Sequence, residues 1–80
     1  MQALLDVVAV EVKADYLLYL EFENGEKRTF DMSPYMDKQP FVQLKGSPLF
    51  AMAFVDYGTV VWPGNIDIAP ETLYDRSHPT

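Results

Sequence analysis

Apolar and polar positions first alternate over residues 6–13, D-V-V-A-V-E-V-K. In an extended chain Val8, Val10 and Val12 fall on one side, and Val7, Ala9 and Glu11 on the other. This predicts a strand with one strongly apolar face and one mixed face. Ala14-Asp15 is a short break. Residues 16–23, Y-L-L-Y-L-E-F-E, are rich in β-formers and apolar on both sides until near their end, as in a central strand covered on both faces. Asn24-Gly25 comes next, and both residues accept the positive φ that a two-residue type I′ hairpin turn requires. Counting outward pairs Glu23 with Glu26, Phe22 with Lys27, Glu21 with Arg28, Leu20 with Thr29 and Tyr19 with Phe30. A third strand is predicted over residues 26–31.

The periodicity then breaks into short pieces. Ser33-Pro34 reads as an N-cap and a first helical residue, and Gln39-Pro40 interrupts the helix after about one turn. Phe41, Val42 and Leu44 form a second apolar piece ending at Gly46. Ser47-Pro48 repeats the cap signal ahead of Leu49, Phe50 and Met52. These turns carry large apolar groups and are expected to lie across one face of the sheet. Residues 53–56 read as a fourth strand, and Tyr57-Gly58 turns the chain into another over residues 59–62.

Residues 60–74, V-V-W-P-G-N-I-D-I-A-P-E-T-L-Y, organise the rest. Pro63 stops strand pairing because it has no N–H. Gly64 and Asn65 both tolerate positive φ, so the chain can reverse there. Ile66 and Ile68 flank Asp67, and Pro70 suits the first position of a helix with Glu71 at its positive end. Trp62 reads either as an exposed binding anchor or as a core ring with its N–H satisfied at the edge. Asp67 reads either as a partner contact on a rigid turn, or as a brace accepting hydrogen bonds from free backbone N–H groups. Residues 77–80 read as a frayed tail.

The fold class expected is α+β in two layers: a three-stranded antiparallel meander, short helical turns, then a C-terminal two-stranded unit and a short helix. Eighty residues suit one domain, spanning 1–80. An apolar fraction of 49% with one Trp, five Tyr and five Phe argues for a real core.

The absence of cysteine removes thiol nucleophiles, disulfides and cysteine-based metal sites. The net charge is −6, and the six basic residues are scattered as Lys13, Lys27, Arg28, Lys38, Lys45 and Arg76. Phosphate backbones need a concentrated positive face, so direct nucleic-acid binding is not expected. No long apolar run would span a membrane, and the start M-Q-A-L-L-D lacks the flank and length of a signal peptide. The expected location is cytoplasmic.

At W-P-G-N-I-D-I-A-P-E-T-L-Y the chain resembles the small bacterial family known as domain of unknown function 2442. The resemblance extends back through A-F-V-D, S-P-L-F, F-V-Q-L and D-M-S-P-Y, and covers most of residues 5–75. One departure is that the family usually places Asn before Gly after the W-P pair, whereas here Gly64 precedes Asn65. The resemblance implies a small α+β domain without an established activity. In relatives it stands alone or is fused to a helix-turn-helix DNA-binding domain, which implies a regulatory or interaction role. No helix-turn-helix segment is visible here, so DNA binding does not carry over.

The inventory for chemistry is thin. His78 is the sole histidine and sits in the tail, so a nucleophilic triad or transition-metal site lacks its usual parts. Glu71 and Asp75 are four apart, with Asp67 near, which on a helix reads as a solvated acidic face. No catalytic residue, metal or cofactor is assigned. Tyr35 and Tyr57 fall in predicted loops as candidate contact groups, or as loop tyrosines packing locally. The function expected is a non-enzymatic interaction or regulatory module with a protein partner or self-association. The alternative is a small-molecule sensor, with the ligand held near Trp62, Asp67 and the middle turns. The candidate binding residues are Trp62, Asn65, Asp67, Tyr35 and Tyr57.

Overall fold

A computed structural model describes residues 5–80; the signal-peptide reading of residues 1–4 lies outside them. In chain order the strands are β1 (Val7–Lys13), β2 (Leu17–Phe22), β3 (Lys27–Asp31), β4 (Phe54–Asp56), β5 (Thr59–Trp62), β6 (Ile66–Ile68) and β7 (His78–Pro79), with one α-helix, α1 (Pro70–Asp75). They form two antiparallel sheets, ordered β1-β2-β3-β7 and β4-β5-β6. Together with the short helical turns this is an α+β-like chain dominated by strands.

The β2–β3 hairpin corrects the expected register by one residue. Leu18 faces Phe30, Tyr19 faces Thr29, Leu20 faces Arg28 and Glu21 faces Lys27. The loop has three residues: Gly25 N–H donates to Phe22 O at 2.9 Å, and Gly25 takes φ +89° as the left-handed residue that closes such a loop. The core decides between the two registers. A one-residue slip sends every side chain to the other face. The expected register would have put Phe30 beside Tyr19; the observed one puts Phe30 beside Leu18, with both fully buried.

Strand β1 also departs from strict alternation. Its pairing shifts between Val7 and Ala9, a β-bulge that leaves Val8 without a partner. The bulge lets Val7 join Val10 and Val12 on the core side, while Val8 turns out to solvent at 52% exposure. The expected grouping of Val8 with Val10 and Val12 fails for this reason. Strand β2 is covered on one side only, since Tyr19 on its outer face is exposed.

Tyr16, expected in β2, lies instead in the Ala14–Tyr16 turn, where Asp15 and Tyr16 both have positive φ. Its hydroxyl accepts from Gly46 N–H at 2.9 Å. The middle of the chain forms 3-10 turns at Ser33–Tyr35, Phe41–Leu44 and Pro48–Met52, with a cis Gln39–Pro40 bond between the first two. Ser47 caps the third by accepting from Leu49 N–H at 3.1 Å. Ser33 does not cap; Asp31 Oδ1 accepts from Ser33 N–H instead.

Two further expectations change at the C-terminus. The unit after residue 53 has three strands, because Ile66–Ile68 pairs with β5. Residues 77–80 are not frayed: His78 and Pro79 pair with β3, and Thr80 N–H donates to Lys27 O at 2.9 Å. The buried side chains form one cluster drawn from both sheets, the turns and α1, including Leu20, Phe30, Val60, Trp62, Leu44, Phe50 and Leu73. The sheets are tied at the bulge, where Val7 N–H donates to Gly58 O at 2.8 Å.

Candidate functional site

The structure separates the five residues singled out by the sequence. Trp62 is fully buried. Its ring stacks on Phe50 at 5.8 Å between centroids, and its indole N–H donates to Phe50 O at 3.0 Å. The core reading holds and the exposed-anchor reading falls. Tyr35 is half-buried, stacked on Phe30 at 5.5 Å and edge-on to Phe41 at 6.4 Å, so it packs locally and is not a free contact group.

Asn65, Asp67 and Tyr57 are exposed. Asn65 occupies the β5–β6 turn with φ 63°, and Tyr57 occupies the β4–β5 turn with φ 53°. These turns lie at opposite ends of β5, about 13 Å apart for four residues at strand rise, so the two side chains do not converge. Asp67 sits mid-strand in β6, opposite Val61. No hydrogen bond to its carboxylate occurs among the described residues, so it does not act as the expected brace.

What does converge is an outward face on the β4-β5-β6 sheet. Phe54 pairs with Val61, and Val61 pairs with Asp67. Paired residues share a face, so these three stand in a row across the sheet, facing away from buried Val60 and Ile68. Phe54 is 44% exposed despite being a large aromatic. Met52 just before β4 and Tyr57 just after it are 55% and 91% exposed. Bulged Val8 adds a further exposed apolar group on β1, which packs against β4. Sequence reasoning identified Tyr57 and Asp67 but not Phe54 or Met52. The signal available was the odd-even pattern of A-F-V-D, which had to be combined with knowing that β5 is the central strand.

A second constellation was missed altogether. Arg28 lies on the core-facing side of β3, opposite Leu20. Its Nε–H donates to Ser77 Oγ at 2.6 Å, an Nη2–H to Ser77 O at 2.9 Å, and an Nη1–H to Glu26 Oε2 at 3.1 Å. The guanidinium also lies over the Tyr74 ring at 4.6 Å. Tyr74 O–H donates to Glu26 Oε1 at 2.6 Å, and Asn24 donates to the same oxygen at 2.7 Å. The Tyr74 hydrogen bond, with those from Asn24 and Arg28, holds the Glu26 carboxyl below its ordinary range. The same bond pushes the Tyr74 hydroxyl up. This network fastens α1 and β7 to β3, and its groups satisfy one another.

On the outer face of the other sheet, a shallow depression of about 220 Å³ is lined by Ala9, Glu11, Tyr19, Glu21, Lys27 and Thr80. Glu71 and Asp75 are exposed on α1, and no three metal-ligating side chains cluster among the described residues. No helix among them is long and apolar enough to cross a membrane.

Residues 7–79 match the model of a protein family described as "Protein of unknown function (DUF2442)". Neither a curated protein nor a solved structure matches the chain significantly.

Proposed function

The chain belongs to the DUF2442 family, whose function is unknown, and from that premise we propose that it is a non-enzymatic interaction module which contacts a protein through the outer face of β4-β5-β6. The observation that carries this reading is the exposure of Phe54 on the outer face of a short edge strand, with Met52 and Tyr57 exposed in the turns that precede and follow that strand in the chain. Grouped exposed apolar side chains are a feature of association surfaces, where isolated ones are ordinary. Aromatic and Met side chains are also the types enriched where proteins meet. A regulatory role, with a DNA-binding regulator as partner, draws its support from the family resemblance.

A sensor reading has one observation in its favour, the depression lined by Tyr19, Glu21 and Lys27, which lies away from the buried Trp62, from Asp67 and from the middle turns where the sequence placed a ligand. Its volume lies below the roughly 300–1,000 Å³ of ordinary ligand sites, which ranks it second. The test is capture of proteins from the cell of origin by the tagged chain. Phe54→Ser and Tyr57→Ser, each folded by circular dichroism, are expected to lose a specific protein that Tyr19→Ser retains. No specific protein bound by the parent chain, or one retained by both variants, overturns the reading.

A further inference from the structure

We infer that the occupant of this face is a positively charged protein surface, an apolar patch flanked by Lys or Arg, and not a second copy of the chain. The inference rests on the interaction reading and adds the partner's chemistry. Between Lys45 and Arg76 the sequence contains no basic residue and four carboxylates, Asp56, Asp67, Glu71 and Asp75. That span supplies all of β4, β5, β6 and α1. Asp67 ends the Phe54–Val61–Asp67 row, and Asp56 stands two residues beyond Phe54 on the same side of β4. None of the four forms an ion pair among the described residues. Elsewhere Lys13, Arg28 and Lys45 are paired with Glu11, Glu26 and Asp37. Two carboxylates, Asp56 and Asp67, thus stand on the same side of the sheet as Phe54 without an ion pair among the described residues.

Complementary potentials set partner choice, and like charges opposed across an interface are costly. A two-fold dimer through this face would set the same acidic patch against itself, with −6 on each chain. Nucleic acid is repelled by the same field. A basic rim around an apolar centre satisfies both the exposed Phe54 and Tyr57 and the unpaired Asp56 and Asp67.

The test uses three matched sets of short immobilised peptides: Lys/Arg with Leu/Phe/Trp, Glu/Asp with Leu/Phe/Trp, and Lys with Ser only. The full chain is expected to bind the basic-apolar set best. That binding should weaken between about 0.01 and 0.15 M salt, as the screening length falls from about 30 to about 8 Å. Asp56→Asn with Asp67→Asn should weaken it by about threefold or more, and Phe54→Ser by about tenfold. Equal binding of the acidic-apolar set overturns the charge inference while leaving an interaction surface standing. Equal binding of the Lys/Ser set reduces the effect to ion exchange and overturns it, as does a self-dimer in sedimentation that the peptides do not disperse. Retention of no set also overturns it, and loss of lysate capture in Tyr57→Ser then decides separately on the interaction reading.

Discussion

The indole N–H of Trp62 is satisfied by the carbonyl of Phe50, whose ring also stacks on the indole. One residue thus provides both the polar partner and the apolar wall for the largest side chain in the core, and joins β5 to the Pro48–Met52 turn. The two contributions separate by mutation. Trp62→Ala empties a fully buried site and is expected to cost about 3–5 kcal/mol. Trp62→Phe keeps much of the packing but leaves the Phe50 carbonyl unpaired, an expected loss of about 1–3 kcal/mol. Urea unfolding of both variants checks the order; a Trp62→Phe protein as stable as the parent would remove the hydrogen bond from the account.

Arg28 is expected to govern the order of the C-terminal strand. Its guanidinium holds both the side chain and the carbonyl of Ser77, a residue only 4% exposed. Arg28→Ala leaves both groups without that donor, at an expected cost of about 1–3 kcal/mol. Amide exchange should quicken at Thr80, whose N–H pairs with Lys27 O, before it quickens in β2. Unchanged protection at Thr80 would show that strand pairing alone holds β7.

Asp67 provides the opposite case. It is exposed and accepts no hydrogen bond among the described residues, so Asp67→Asn should shift stability by less than about 0.5 kcal/mol, as ordinary surface changes do. Thermal unfolding checks this. A loss near 2 kcal/mol, beyond an ordinary surface change, would restore the brace reading and rule the variant out as a probe of binding.

What was legible in the sequence depended on how local the deciding physics is. The Ser47-Pro48 cap, the Tyr57-Gly58 turn and the Pro70 helix start are settled by a few neighbouring residues, and all three are where the pattern put them. The β2–β3 register was not local. Asn24-Gly25 fits a two-residue turn, and only the joint burial of Phe30 with Leu18 selects the longer loop. The bulge at Val8 has the same origin, since Val7 is drawn inward to pair with Phe22 and to bond Gly58 O. The tail was unreadable because that register paired its anchor, Arg28, with Glu21, whereas it stands opposite buried Leu20 and reaches Ser77. Of the candidate site, Tyr57 and Asp67 are exposed, whereas Trp62 and Tyr35 belong to packing that only the assembled core reveals.

The Glu26–Tyr74 hydrogen bond gives stability a pH dependence whose sign is set by the two shifts. The Glu26 carboxyl is held low by Tyr74 first, then by Asn24 and Arg28. The folded state therefore favours its ionised form. That contribution is present above the unfolded value, about pH 4.3 for glutamate, and is lost as pH falls through the lower folded value. The Tyr74 hydroxyl is held high by Glu26. Its contribution is complete below the unfolded tyrosine value, about pH 10, and is lost as pH rises through the higher folded one. Tyr74→Phe removes the hydroxyl, so it abolishes the alkaline limb and weakens the acid one, where Asn24 and Arg28 still hold Glu26 down. Against the parent, its stability deficit should be largest on the plateau between the two windows and shrink toward both pH extremes. Urea unfolding across pH reads this directly, and a deficit that stays constant from acid to base would mean that the hydrogen bond does not couple to folding.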